Sequence, residues 1–178
     1  MKIINTFVPC LYAFKYPGNS KDELERVFDE WADPMFLNDF FEKNQQDITI
    51  SIQEAISKVN SEAIFLRDKL IDLANATPNQ LNQLFKNLDN NEIISPALSR
   101  QKAPNRWLRL YAIKIDENNY VITGGTIKLD SGAIAFNNLY RMQDRPHTNK
   151  ELSKINKCRD YLRDEGVLDN DSFQEIFF

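Results

Sequence analysis

The spacing of apolar residues divides this chain into a stretch of helical period and, after residue 105, a stretch of strand period. Ile52, Ile56, Val59, Ala63, Leu66, Leu70 and Leu73 recur four and three positions apart behind the capping-box pair Ser51 and Glu54, and predict one long helix. Upstream, Ser20 and Glu23 repeat that signal ahead of Leu24, Val27, Phe28 and Trp31. Asp33 as cap and Pro34 as first helical residue open a second short helix with Phe36, Leu37, Phe40 and Phe41 on its apolar side. Thr77 and Pro78 predict a further short helix with Leu81, Leu84, Phe85 and Leu88 inward. Residues 2–16 are rich in β-formers and stop at Pro17-Gly18-Asn19, so they read as a strand or an extended arm.

Residues 106–115 and 120–129 follow period two and predict antiparallel strands joined at 116–119. Alternation groups Leu108, Leu110, Ala112, Val121, Gly125, Ile127 and Leu129 on an apolar face. Trp107, Arg109, Tyr111, Ile113, Ile122, Gly124, Thr126 and Lys128 fall on the opposite one. Beyond a loop over 130–146, Thr148 and Glu151 form a third capping box ahead of a helix with Leu152, Ile155, Cys158, Arg159 and Leu162 on one side, which Gly166 stops. Cys158 in that stripe reads as core filler. Asp171 or Ser172 caps a last turn bearing Phe173, Ile176, Phe177 and Phe178, an aromatic tail that docks on the body or engages a partner.

These elements predict an α+β fold in one domain over 1–178, with a helical N-terminal layer packed on a small antiparallel sheet. Residues 1–83 form its mostly helical portion and 166–178 its tail. The 52–73 stripe is expected to cover the chain's own sheet; the alternative is a helical interaction protein that offers it to a partner.

Composition sets the class. The 178 residues are 42% hydrophobic and 27% charged, with five glycines and seven prolines, which excludes collagen-like and disordered chains. Two distant cysteines and one histidine cannot supply a Cys/His zinc site, so no metal or other cofactor is expected. No run reaches the roughly 18 apolar residues of a membrane span, and the opening residues lack a small-residue cleavage pattern. A soluble, cytoplasmic protein without a membrane partner is the expectation.

The net charge of −4 hides a polarised chain. Residues 1–99 carry 9 Lys/Arg against 15 Asp/Glu, residues 100–163 carry 13 against 6, and the last fifteen residues carry none against 5. A concentrated basic segment in an acidic protein suits a polyanion at one place, although solvated surface charge explains it equally well.

No phosphate loop, nucleophile elbow or zinc-protease motif is present, and the helical carboxylates read as solvated faces rather than a buried pair. What remains is the basic segment interleaved with aromatics: Arg100, Lys102, Arg106, Trp107, Arg109, Tyr111, Lys114 and Lys128. Cations bind phosphates and Trp or Tyr stacks on bases, so Lys102, Arg106, Trp107 and Lys114 are candidate RNA-binding residues. Without a metal, Lys or Tyr can move protons and Arg can stabilise charge at phosphorus, which nominates Arg109, Tyr111 and Lys128 for catalysis. The alternative is a strand face whose cations keep a sheet soluble. His147, which titrates near neutrality, is a candidate acid or base; a plain surface residue at a helix start is the other reading.

The segments LFKNL, RWLRLYAIKI, NYVITGGTIKL and HTNKELSKINKCRDYL, over roughly 84–162, resemble in order the RelE/ParE/HigB-type toxins. The resemblance implies a RelE-like core over 84–165 with helices on one sheet face and an active surface on the other. It further implies a metal-independent endoribonuclease acting on mRNA, on the ribosome in some members, and neutralised by a cognate antitoxin. By strand position Arg109 and Lys128 match the family's central arginine and strand-closing lysine, whereas Tyr111 and Lys102 match by residue type. The alternatives are a non-catalytic RNA- or protein-binding module on this fold; a homodimer stays open.

Overall fold

The structure, a computed structural model, describes residues 1–89, 98–129 and 145–178. The strands are β1 (Lys2–Asn5), β2 (Leu11–Lys15), β3 (Lys86–Asn87), β4 (Arg100–Asn105), β5 (Leu108–Lys114) and β6 (Tyr120–Ile127). The helices are α1 (Glu23–Ala32), α2 (Pro34–Lys43), α3 (Ile52–Asn75), α4 (Pro146–Asp164) and α5 (Asn170–Phe177). The fold is α+β.

Local chemistry sets most helix starts. Ser51 and Glu54 close the expected capping box of α3, and Asp33 with Pro34 opens α2. At α1 the cap is Asp22 rather than Ser20: its carboxylate accepts from the Leu24 and Glu25 amides at 2.8 and 3.1 Å. The third expected capping box is absent. α4 begins at Pro146, Thr148 donates back to the Arg145 carbonyl, and Glu151 turns inward to Lys154. The helix expected after Thr77 is a 3-10 turn, Leu81–Gln83, followed by β3, because Lys86 and Asn87 pair with β4.

The sheet has the order β1-β2-β6-β5-β4-β3 and is mixed rather than purely antiparallel. The N-terminal stretch supplies two of its strands, and β2 runs parallel to β6, with Leu11 opposite Tyr120 and Ala13 opposite Ile122. The 116–119 hairpin forms as expected, with the Asp116 carboxylate accepting from the Asn118 and Asn119 amides.

A bulge changes the predicted faces. Tyr111 lies opposite Gly124 but Ala112 opposite Ile122, so Thr123 is an extra residue in β6. Ile122 therefore joins the face of Leu108, Leu110, Ala112 and Ile127, and Val121 joins that of Tyr111 and Ile113. The two were assigned the other way round by simple alternation.

Helices cover both faces. On one, Leu24, Val27 and Trp31 of α1, Leu37 and Phe41 of α2, and Val59, Leu66 and Leu70 of α3 pack on the β4–β6 apolar side chains. The heptad stripe is thus core. On the other, Ile155, Cys158 and Leu162 of α4 and Phe173 of α5 pack on Phe14, Tyr111, Ile113 and Val121. The open second face that the resemblance implied is closed over Tyr111. The aromatic tail docks as α5, with Phe173 edge-on to Tyr12 at 5.0 Å. Among the described residues no helix is long and apolar enough to cross a membrane.

Candidate functional site

β4 and β5 are joined by a two-residue turn, Arg106-Trp107, between the paired residues Asn105 and Leu108. Arg106 there holds a φ of 50°, a conformation L residues other than Asn and Asp seldom take. Helix α3 holds the turn down. The Asn105 amide donates to the Glu62 carbonyl at 3.0 Å, and the Trp107 N–H donates to Glu62 Oε2 at 3.0 Å. Lys58 Nζ lies 3.6 Å from the centre of the Trp107 ring, which also packs against Phe41. Arg106 remains exposed at the tip.

Beside this turn opens a pocket of about 290 Å³ lined by Lys58, Ser61, Glu62, Phe65, Asn105 and Arg106. Its contents are chemically mixed. Phe65 presents a ring that is 59% exposed, unusual for so large an apolar side chain. Glu62, only 5% exposed, uses Oε2 on the turn and leaves Oε1 buried without a hydrogen-bond partner. Burial raises its carboxyl above the ordinary range, opposed by the backbone N–H groups of Trp107 and Leu108 and by the charges of Lys58 and Arg106.

The nominated residues divide. Arg106, Trp107, Arg109 and Lys128 gather at this end of the sheet, the Lys128 backbone N–H donating a hydrogen bond to the Trp107 carbonyl at 2.7 Å. Arg109 spends Nη1 on the carbonyls of Arg106 and Leu108, the latter at 2.8 Å, and so braces the turn. Tyr111, expected exposed beside Arg109, is 1% exposed, and burial pushes its hydroxyl well above the usual range. α4 covers it, so Arg109, Tyr111 and Lys128 do not share an open face. Lys102 lies in mid-sheet with Nζ on the Leu88 carbonyl at 2.9 Å, and Lys114 stands at the far end of β5. His147 is half-buried edge-on to Phe40 at 5.2 Å, and burial lowers its pKa. Lys58 stands over the Trp107 ring and Phe41 lies tilted beside it at 6.0 Å, whereas Phe65 in the adjoining pocket is exposed.

A second polar cluster was missed by sequence reasoning. Glu23 of α1 and Glu151 of α4 are both buried, at 1% and 6% exposure, and both bond Lys154, at 2.5 and 3.1 Å. Arg26 forks onto Glu23 with two bonds of 2.9 Å. Tyr16 adds hydrogen bonds to the Thr123 carbonyl at 3.1 Å and to Cys158 Sγ at 3.0 Å. The two helices lie on opposite sheet faces and meet beyond the last paired residues of β2 and β6, Ala13 and Ile122. Here positive and negative groups are matched inside the protein, which describes a strut between helices. The pocket beside Arg106 has the accessible groups. Among the described residues no group of three or more His, Cys, Asp or Glu side chains is placed to hold a metal ion.

Compared with known proteins, the chain matches no family model, and no curated protein or solved structure is significantly similar to it.

Proposed function

We propose that this chain binds RNA at the β4–β5 turn and, as the toxin resemblance implies, acts as the toxin of a toxin–antitoxin pair. The observation that carries the reading is the juxtaposition at one pocket of an exposed guanidinium, Arg106, an exposed ring, Phe65, and Lys58. A phosphate contact beside an aromatic platform is the ordinary provision for single-stranded RNA. Cleavage by Arg109, Tyr111 and Lys128 is not part of the proposal, because Tyr111 is buried and Arg109 is engaged with main-chain carbonyls. That favours a binding toxin over a nuclease built on those three.

Two measurements test it. Affinity of the purified protein for a single-stranded RNA should fall steeply with salt, and Arg106→Ala should reduce the salt slope by about one phosphate contact. Induced expression without antitoxin should arrest growth and translation. Normal growth with verified soluble protein would remove the toxin reading, and salt-independent or absent RNA binding would remove the site.

A further inference from the structure

β1 ends the sheet, and among the described residues no strand pairs with its outer side. The register tells which of its backbone groups stand on that side. The Thr6 N–H donates to the Leu11 carbonyl at 3.2 Å, and Lys2 to Asn5 pair with Lys15 to Tyr12 in step with that bond. The N–H and C=O of one residue point the same way and alternate along a strand, so Lys2 and Ile4 address β2 while Ile3 and Asn5 turn both groups outward. Soluble proteins blunt such an edge with charge, proline, a bulge, a cover or shortness, and the opposite edge, β3, is only two residues long. Residues 1–14 instead carry no carboxylate and a single cation, Lys2. Two large apolar side chains stand exposed at the two ends of the strand, Met1 at 36% and Phe7 at 51%.

We propose that β1 is the interface of a homodimer, pairing antiparallel with β1 of a second copy across a two-fold axis at Ile4. Matching Ile3 of each copy to Asn5 of the other uses every outward group of β1; matching either residue to itself leaves the other to pair beyond the end of the strand. In the first register Ile4 meets Ile4 of the second copy, and Lys2 stands opposite Thr6, so no like charges oppose each other. Met1 of each copy then comes beside Phe7 of the other, which covers both exposed apolar ends in one symmetric contact. Ile3 packs with the α4–α5 side chains, and Asn5 shares its parity, so the faces agree and the two sheets join into one. A partner strand of another sequence would gain the same backbone bonds, but the match of Met1 to Phe7 and of Lys2 to Thr6 belongs to the chain paired with itself.

Sedimentation equilibrium of the full chain tests it, independently of the RNA reading. The mass should rise from 20.8 kDa toward twice that value as protein concentration is raised. Asn5→Pro removes an outward N–H and none that β2 uses, so it should keep its cooperative urea transition and sediment as a monomer. In a Cys10→Ser background, Ile4→Cys sets two thiols at a pair that makes no hydrogen bonds, where Cα atoms lie about 4.5 Å apart, within disulfide reach. Air oxidation with copper phenanthroline should join that variant into a covalent dimer. Lys2→Cys in the same background should stay uncrosslinked, because its thiols are then displaced by four residues, roughly 13 Å along the strands. A mass of one chain at every concentration would overturn the inference and leave the edge to a strand of another protein. A dimer that Asn5→Pro leaves intact would overturn it too, as would a Lys2→Cys crosslink that forms as readily as the Ile4→Cys one. Should Asn5→Pro fail to fold, the two crosslinks decide.

Discussion

Gly124 and Gly125 are a glycine pair inside a strand, without phosphate-loop spacing, and the structure gives each a different packing reason. A side chain at Gly124 would place its Cβ 2.0 Å from Glu151 Oε2, and one at Gly125 would stand 2.8 Å from Val27 Cγ1 and 2.9 Å from the Arg109 carbonyl. One glycine admits α4 and the other α1. Gly124→Ala should therefore lower stability by roughly 1–3 kcal/mol, read as a reduced urea midpoint; an unchanged midpoint would mean that Glu151 moves aside freely. The two cysteines part at the same scale. Cys10 is exposed, while Cys158 is buried and its thiol is pushed up to about 12 by desolvation. One thiol should react with a chromogenic disulfide reagent in the native protein and the second only after unfolding. The sequence marked Cys158 as core from its place in an apolar stripe, a judgement that needs only helical period.

Between elements, the polar strut joins α1 to α4. Burial raises the Glu151 pKa, with Lys154 and Arg26 opposing and Glu23 adding to the rise; Tyr16, Cys158 and Tyr111 are its other titratable neighbours. A carboxyl raised in the folded state binds its proton more tightly there than in the unfolded chain. Its contribution to stability is full below the ordinary value of 4.5 and is lost as pH rises through the higher folded value. Glu54 and Asp169, held low by their capping hydrogen bonds, contribute with the opposite sign. The urea midpoint of the wild type relative to Glu151→Gln should fall as pH rises from 4 toward 7, and a constant difference would show Glu151 titrating normally. Nothing in the i, i+3 pattern of Glu151 and Lys154 separates a buried strut from a solvated face, because Glu23 arrives from the far end of the chain.

At the scale of the molecule, the N-terminal half is part of the sheet rather than an appendage to a C-terminal core. β2 flanks β6, and α1, α2 and α3 cover the side of Leu108, Leu110, Ala112 and Ile127. A fragment of residues 84–178 would expose that face and lose a strand partner, so it should show no cooperative urea transition by circular dichroism. A sharp transition in that fragment would establish the C-terminal half as an independent unit. The polarised charge also resolves at this scale. Arg100 bonds Asn156 and Asp89, and Arg145 pairs with Asp47, so part of the basic segment is spent inside the protein. Arg106 is what the fold leaves exposed at the β4–β5 tip.

Local sequence determined what local physics controls. Capping side chains and a four-three apolar rhythm placed α2 and α3, and period-two alternation with Asp116 at the turn placed the β5–β6 hairpin, because each depends on residues a few positions apart. Tertiary structure decided the rest. The bulge at Thr123 exchanged the faces of Val121 and Ile122, a parallel partner for β6 came from residues more than a hundred positions away, and α4 sealed the face on which Tyr111 had been expected to work. Glu62 became a buried acceptor for a backbone N–H only because the Arg106-Trp107 turn folds onto α3. Such placements depend on which distant segments share a surface and which polar atoms burial leaves without a partner, and neither quantity is written in the spacing of residues along the chain.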